Sequence, residues 1–248
     1  MSTDLWPEGY DRIVLETVDS TNAEAARIAP FLKRPTWIMA HAQTAARGRR
    51  GRAWVNPEGN LAATLVMRPG GVPAWAALRS FLASNALFQT LAMYVDRDRL
   101  SLKWPNDVLL DERKVAGILL ESAGSAKEVD WLAIGFGVNL EVTPEVPDAV
   151  DFPPISVKEA TGDSVDAEEF LDTLAGHYAT EERILDRLGF EPIRADWIER
   201  AARLGDTITA RTEKRDYTGI FDTVDEKGQL VLITGTGPVH IPAADVFF

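Results

Sequence analysis

Apolar positions recur along this chain in short runs, and most runs end at a turn former. RIVLETV (12–18) is short and β-branched-rich, which predicts a strand. DSTNAEAARIAP follows it, with Thr21 and Glu24 at capping-box spacing and Pro30 closing the element, so a short helix from about Asn22 to Ala29 is expected. TWIMAHAQ (36–43) and LAATLVM (61–67) predict two more strands. Gly70, Gly71 and Pro73 then precede one amphipathic helix over 75–95. LSLKW (100–104), VLL (108–110) and VAGILLES (115–122) are strand-like, the last two flanking the turn DERK as a hairpin. WLAIGFGVNLEV (131–142) is a long apolar strand with two alternate glycines.

The proline-rich stretch 143–156 predicts a mobile loop. Asp166 and Glu169 cap a helix running to about Leu188, with Gly189 just past its end, and 192–203 continues in helical spacing. After Gly205 the texture changes to short strands, DTITART, YTGIFDTV, QLVLIT and PVHI, with DEKG as a tight turn. That is a small all-β module of the little-barrel kind. The boundary falls between 1–203 and 204–248. No internal repeat or low-complexity tract interrupts the pattern.

Composition narrows the class. With 46% hydrophobic and 26% charged residues the 248-residue chain matches an ordinary globular protein. A net charge of -12 argues against a general binder of nucleic acid or anionic membrane. The absence of cysteine removes disulfides and thiolate nucleophiles. Three scattered histidines show no ligand spacing, which argues against a protein-held metal site. The N-terminus lacks a signal-peptide pattern, and the 75–95 region is broken by Arg79, Ser80, Asn85 and Gln89, so cytoplasm is the expected location.

Against this acidic background, residues 46–52 read ARGRRGR. Such a run is commonly a solvated face or a nucleic-acid patch. Here the glycines free the backbone to approach a ligand, and predicted strands anchor both ends. Arginine forks and successive backbone N–H groups suit phosphate or carboxylate. Ordering the segment costs roughly 1–2 kcal/mol per residue, so the expectation is a loop unstructured until an anion arrives.

Taken in order, DSTNAEA (19–25), QTAARGRRGRAWVNPEGNL (43–61), LKWPNDVLLDERKVAGILLE (102–121) and IGFGVNL (134–140) resemble the biotin–protein ligases over nearly the whole chain. The arginine and KWPND blocks together are highly specific. Ala46 and Ala244 stand where the family commonly has glycine. The resemblance implies an α+β fold: a mixed-sheet catalytic domain with a C-terminal SH3-like β-barrel. It implies a two-step reaction, in which biotin and ATP give biotinyl-5'-AMP and a lysine of a biotin carboxyl carrier protein then takes the biotinyl group. Mg²⁺ is the expected accompanying ion.

By the same resemblance Ser20, Thr21 and Gln43 hold the ureido group, and Asn22 belongs to that stretch. Backbone of 47–49, including Gly48, closes over the biotin tail. Arg47, Arg49 and Lys114 carry the catalytic charge, and Lys114 spans carboxylate and α-phosphate from the mouth of the hairpin. Gly117 and Gly135 give a flat floor for the bicycle. Asn106, Asp107 and Asn139, with Arg49 and Lys114, face the adenylate. Ser20 and Thr21 read equally as a helix cap. Trp54 either walls the site or fills core, and Lys103 ranks below Lys114.

Eighteen residues precede Asp19, too few for the DNA-binding domain that many relatives carry, so ligase activity without DNA binding is expected. Dimerisation through a sheet edge is possible by resemblance. The C-terminal module closes the site or receives the carrier. A lipoate or octanoate ligase shares the architecture, yet RRGRAW lacks the histidine those usually carry. Two rival activities complete the range: an arginine-loop RNA binder, and a degenerate ligase that sequesters biotin without turnover.

Overall fold

The computed structural model describes residues 6–146, 152–212, 214–242 and 244–247. Strand β1 (Asp11–Val18) leads to helix α1 (Thr21–Ile28), then to β2 (Thr36–Gln43) and β3 (Leu61–Met67). Helices α2 (Pro73–Ala77) and α3 (Arg79–Leu91) precede β4 (Leu100–Lys103), β5 (Asp107–Leu110), β6 (Arg113–Gly124) and β7 (Val129–Val138). Helices α4 (Val157–Thr161), α5 (Ala167–Leu188) and α6 (Glu191–Glu199) follow. Five strands complete the chain: β8 (Thr207–Arg211), β9 (Asp216–Val224), β10 (Leu230–Thr234), β11 (Gly237–Ile241) and β12 (Asp245–Phe247).

The first seven strands form one mixed sheet in the order β1-β2-β3-β7-β6-β5-β4. Only β1 and β2 run parallel, and the other neighbours are antiparallel. Every residue of β3 is buried, because both faces of the sheet are covered. Helix α1 packs on one face with Ala25 and Ala29 against Ile38, Val66 and Ala133. Helices α3 and α5 pack on the other, around Trp37, Leu65, Phe136 and Tyr178. The rest of the α1 face, over β5 to β7, is left for the site. The last five strands make the antiparallel SH3-like unit, ordered β11-β10-β9-β8-β12.

Several local expectations change. Ser20, not Thr21, is the N-cap of α1, accepting from the Ala23 N–H while Thr21 opens the helix. The single helix over 75–95 is two helices broken at Leu78, where Leu78 and Phe81 pack against Gly228 of the SH3-like unit. The hairpin turn is only Asp111 and Glu112, both with positive φ, a geometry that follows strand twist. Lys114 therefore lies within β6 rather than in the turn. Asp166 does cap α5, accepting from the Glu168 and Glu169 N–H groups. Of the proline-rich stretch, 147–151 lie outside the described residues; Ser156 caps α4, an element not anticipated.

Candidate functional site

One cavity of about 620 Å³ opens on the α1 face of the mixed sheet. It brings together Ser20, Thr21, Asn22, Gln43, Arg47, Gly48, Arg49, Asn106, Asp107, Lys114, Gly117, Gly135 and Asn139, the full set singled out in the sequence. Its volume is that of a small-molecule site.

At one end, Gln43 Oε1 accepts from the Thr21 N–H at 2.9 Å, tying the end of β2 to the start of α1. Thr64, fully buried on β3, has its hydroxyl 2.8 Å from that of Thr21 and 2.7 Å from Asn22 Oδ1. The Asn22 amide N–H group donates to Glu121 at 2.8 Å. A polar wall thus lines this end on a packed sheet.

The glycines work differently from the expected bare floor. A Cβ on Gly135 would lie 2.3 Å from Asn22 Oδ1, so this glycine makes room for the asparagine. Gly117 and Gly137 pair across β6 and β7, and the Trp54 ring lies on both. A Cβ on Gly137 would meet the indole at 2.5 Å and one on Gly117 at 3.2 Å. The floor is therefore covered by the chain's own Trp54, whose ring is also 5.3 Å from Lys114 Nζ.

At the other end the charges collect. Lys114 Nζ lies 2.7 Å from Asp107 Oδ1, and Lys103 Nζ lies 3.8 Å from Asp107 Oδ2. Burial works to raise the Asp107 carboxyl, but Lys114, Lys103 and Arg49 outweigh it and hold it below the usual carboxylate range. Burial lowers the Lys103 ammonium, and the Phe152 ring covers it at 4.5 Å. Lys103, ranked low in the sequence, is thus a full member of the charged end. Asn139 donates to the carbonyls of Lys114 and Ile155, while its buried Oδ1 has no hydrogen-bond partner. It fixes the Lys114 backbone and leaves one acceptor for a ligand.

The arginine segment is folded over this cavity. Gly48 N–H donates to the Arg52 carbonyl at 2.7 Å, Arg47 bridges to Ala53, and Arg50 adopts positive φ. The expectation of a loop waiting for an anion meets an anion already in the chain. Asp245 of β12 lies 2.7 Å from Arg50, 2.9 Å from Arg52 and 3.9 Å from Arg49. Arg49 also donates to Asn106 Oδ1 at 3.3 Å and to the Ala244 carbonyl at 3.4 Å. The SH3-like unit supplies this wall, with Val246 and Phe247 lining the cavity as well. Sequence reasoning missed Asp245, Gly137 and Glu121; all three act across long sequence separations.

The sequence pattern of the biotin/lipoate A/B protein ligase family matches residues 14–139, and that of the biotin protein ligase C terminal domain matches 204–248. A biotin--[acetyl-CoA-carboxylase] ligase of Paracoccus denitrificans is 50% identical over 95% of this chain and 99% of its own length. This chain belongs to the biotin protein ligase family. The bifunctional ligase/repressor BirA of Bacillus subtilis is 31% identical over 85% of this chain and 65% of its own. Among solved structures, the biotin protein ligase from Aquifex aeolicus in complex with biotin and ATP superposes with a TM-score of 0.79 at 25% identity, covering 95% of this chain and 97% of that one. Among the described residues no helix of this family member is long and apolar enough to cross a membrane.

Proposed function

We propose that the chain activates biotin with ATP and transfers the biotinyl group to a lysine of a biotin carboxyl carrier protein. One observation carries this reading: a single cavity joins a neutral polar end, built by Ser20, Thr21 and Gln43, to a cationic end built by Lys114, Lys103 and Arg49. Biotin has a ureido head and a carboxylate tail, and this polarity matches it end to end.

In the first step a biotin carboxylate oxygen attacks the α-phosphorus, and the bond to the bridging oxygen breaks with pyrophosphate leaving. Both reactants are anions, so their approach needs fixed cations in a site of reduced dielectric. Lys114, at the cationic end, supplies that charge, with Asp107 orienting its ammonium. Arg47 and Arg49 lie on the folded arginine segment that roofs the cavity. The free Asn139 Oδ1 accepts from the adenine amino group. In the second step a neutral lysine amine attacks the mixed-anhydride carbonyl, AMP leaves, and an amide forms. No enzyme nucleophile is required.

Among the described residues no cluster of three or more metal-ligating side chains exists. Mg²⁺ typically uses one or two carboxylates plus substrate phosphates, and Asp107 and Asp245 line the cavity. Both carboxylates are already paired with lysine or arginine, so an ion that arrives with the nucleotide would be held chiefly by the phosphates, where it would neutralise their charge. Localisation in the cytoplasm, an acceptor carrier of acetyl-CoA carboxylase, and a second copy paired through a sheet edge belong to the same reading.

Biotin-dependent exchange of labelled pyrophosphate into ATP tests the first step. Exchange with biotin and not with lipoate is expected. Equal exchange with lipoate, or none with either, refutes the proposal and, in the former case, favours the lipoate reading.

A further inference from the structure

Glu121 lies on β6 outside the cavity lining, yet it begins a hydrogen-bond chain that ends inside it. The chain runs from Glu121 to Asn22 Nδ2 at 2.8 Å, from Asn22 Oδ1 to Thr64 at 2.7 Å, from Thr64 to Thr21 at 2.8 Å, and from the Thr21 N–H to Gln43 Oε1 at 2.9 Å. Asn22, Thr64 and Thr21 are buried.

Chemistry fixes both ends of this chain. An ionised carboxylate only accepts, so Asn22 turns its NH₂ to Glu121 and its carbonyl oxygen to Thr64. A backbone N–H only donates, so Gln43 turns its carbonyl oxygen to Thr21 and keeps its NH₂ for the cavity. The one Thr64 proton then goes to Asn22 Oδ1, since a buried acceptor left without a donor is costly. Thr64 consequently accepts from the Thr21 hydroxyl at 2.8 Å, a proton that also faces Gln43 Oε1 at 3.2 Å. The Thr21 oxygen is left with lone-pair capacity at the cavity. Ser20 accepts from the Ala23 N–H and keeps its own proton.

We infer that Glu121 is a positioning residue that sets the sense of this chain and thereby the donor and acceptor order presented to the ureido group. The inference rests on the function proposed above and deepens it. The cavity end offers an acceptor on Thr21 beside donors on Ser20 and Gln43. A cyclic urea presents the complement: N–H groups that donate and a carbonyl that accepts. Without the carboxylate at 121, the Asn22 NH₂ keeps only the longer contact to the Leu119 carbonyl at 3.4 Å, so Asn22 inverts more readily, Thr64 can redirect its proton, and Thr21 loses its defined role. Glu121 also meets Arg47 at 3.3 Å, so a charge effect through the arginine segment is the competing explanation.

Biotin-dependent pyrophosphate exchange in the full-length chain separates the two. Glu121→Leu removes the acceptor, and the KM for biotin is expected to rise about tenfold, the effect of one net hydrogen bond, with kcat changing by less than about twofold. Glu121→Gln retains an acceptor oxygen but not the charge, and is expected to restore most of the wild-type KM. Thr64→Val interrupts the chain two links away and raises the KM similarly, while Thr64→Ser keeps it. The double variant Glu121→Leu with Thr64→Val is expected to be no worse than the worse single one, a coupling between residues that do not touch. Additive effects, an unchanged KM in Glu121→Leu, or a Glu121→Gln as impaired as Glu121→Leu overturns the inference. Absence of biotin-dependent exchange in the wild-type chain overturns the proposed function instead.

Discussion

Asp245 is one carboxylate shared by three arginines from a segment 193 to 196 residues away, and its removal has a calculable effect. Asp245→Asn keeps the shape and deletes the charge. Arg50 and Arg52 lose their partners at 2.7 and 2.9 Å, and Arg49 loses an attraction at 3.9 Å. The side chains of Arg50 and Arg52 are 39% and 71% exposed, so solvent screening limits each pair to about 0.5–1 kcal/mol. Together the losses favour opening of the arginine segment by about 1–2 kcal/mol, a factor of about 5–30 in the open population. Trypsin cuts after arginine and reads that population directly when reclosing outruns cleavage. Cleavage within 47–52, mapped by mass spectrometry, is expected to accelerate about 5–30-fold in Asp245→Asn. The thermal midpoint should move by only a few degrees. Raised salt should push the wild-type chain the same way, because exposed pairs are screened. Unchanged cleavage in the variant, or cleavage that rises only with global unfolding, refutes the idea that the SH3-like unit holds the segment down.

Four more outcomes follow from the same geometry. Lys114→Ala is expected to slow adenylate formation about 10²–10³-fold, measured by pyrophosphate exchange, and an unchanged rate removes Lys114 from the chemistry. Arg49→Gly should release biotinyl-5'-AMP into solution, detectable by chromatography of the filtrate; complete retention contradicts its roofing role. Gly135→Ala places a methyl 2.3 Å from Asn22 Oδ1 and should weaken biotin binding, whereas Gly48→Ala, which meets only the Arg52 carbonyl at 3.5 Å, should fold normally; calorimetry with biotin distinguishes them. Burial pushes the Glu181 carboxyl up to about 7. The folded state therefore binds the proton more tightly than the unfolded one, and stability falls as pH rises from the ordinary carboxylate value through 7. Glu181→Gln should remove that fall, worth about 3 kcal/mol, and the two melting curves should converge at low pH.

The residues of the site were legible because they sit in contiguous motifs. DSTN, the arginine block, WPND and GFGVN each place several lining residues within a few positions, at the start of α1, in the segment between β2 and β3, or at the ends of strands. Strand and helix positions were legible from alternation and from caps such as Asp166. What sequence could not supply was the pairing of distant polar groups. Asp245 lies beyond the last strand expected from the sequence, and only the docking of the SH3-like unit brings it to Arg50. Gly135 reads as ligand floor until Asn22 is seen lying over it. Lys114 reads as a turn residue because DERK is uniformly polar. The two-residue turn at Asp111 and Glu112 moves it into β6, where Asp107 can reach it. The break at Leu78 has no glycine or proline to announce it, and Leu78 and Phe81 lie there against Gly228.

In the proposed function one cavity orients biotin, activates it and hands it to a carrier lysine. Mass spectrometry of a biotin carboxyl carrier domain incubated with this protein, biotin and MgATP tests it most directly. A mass gain of one biotinyl group on a single lysine, dependent on both substrates, is expected. A carrier of unchanged mass, or one that gains a lipoyl group equally well when lipoate replaces biotin, contradicts it.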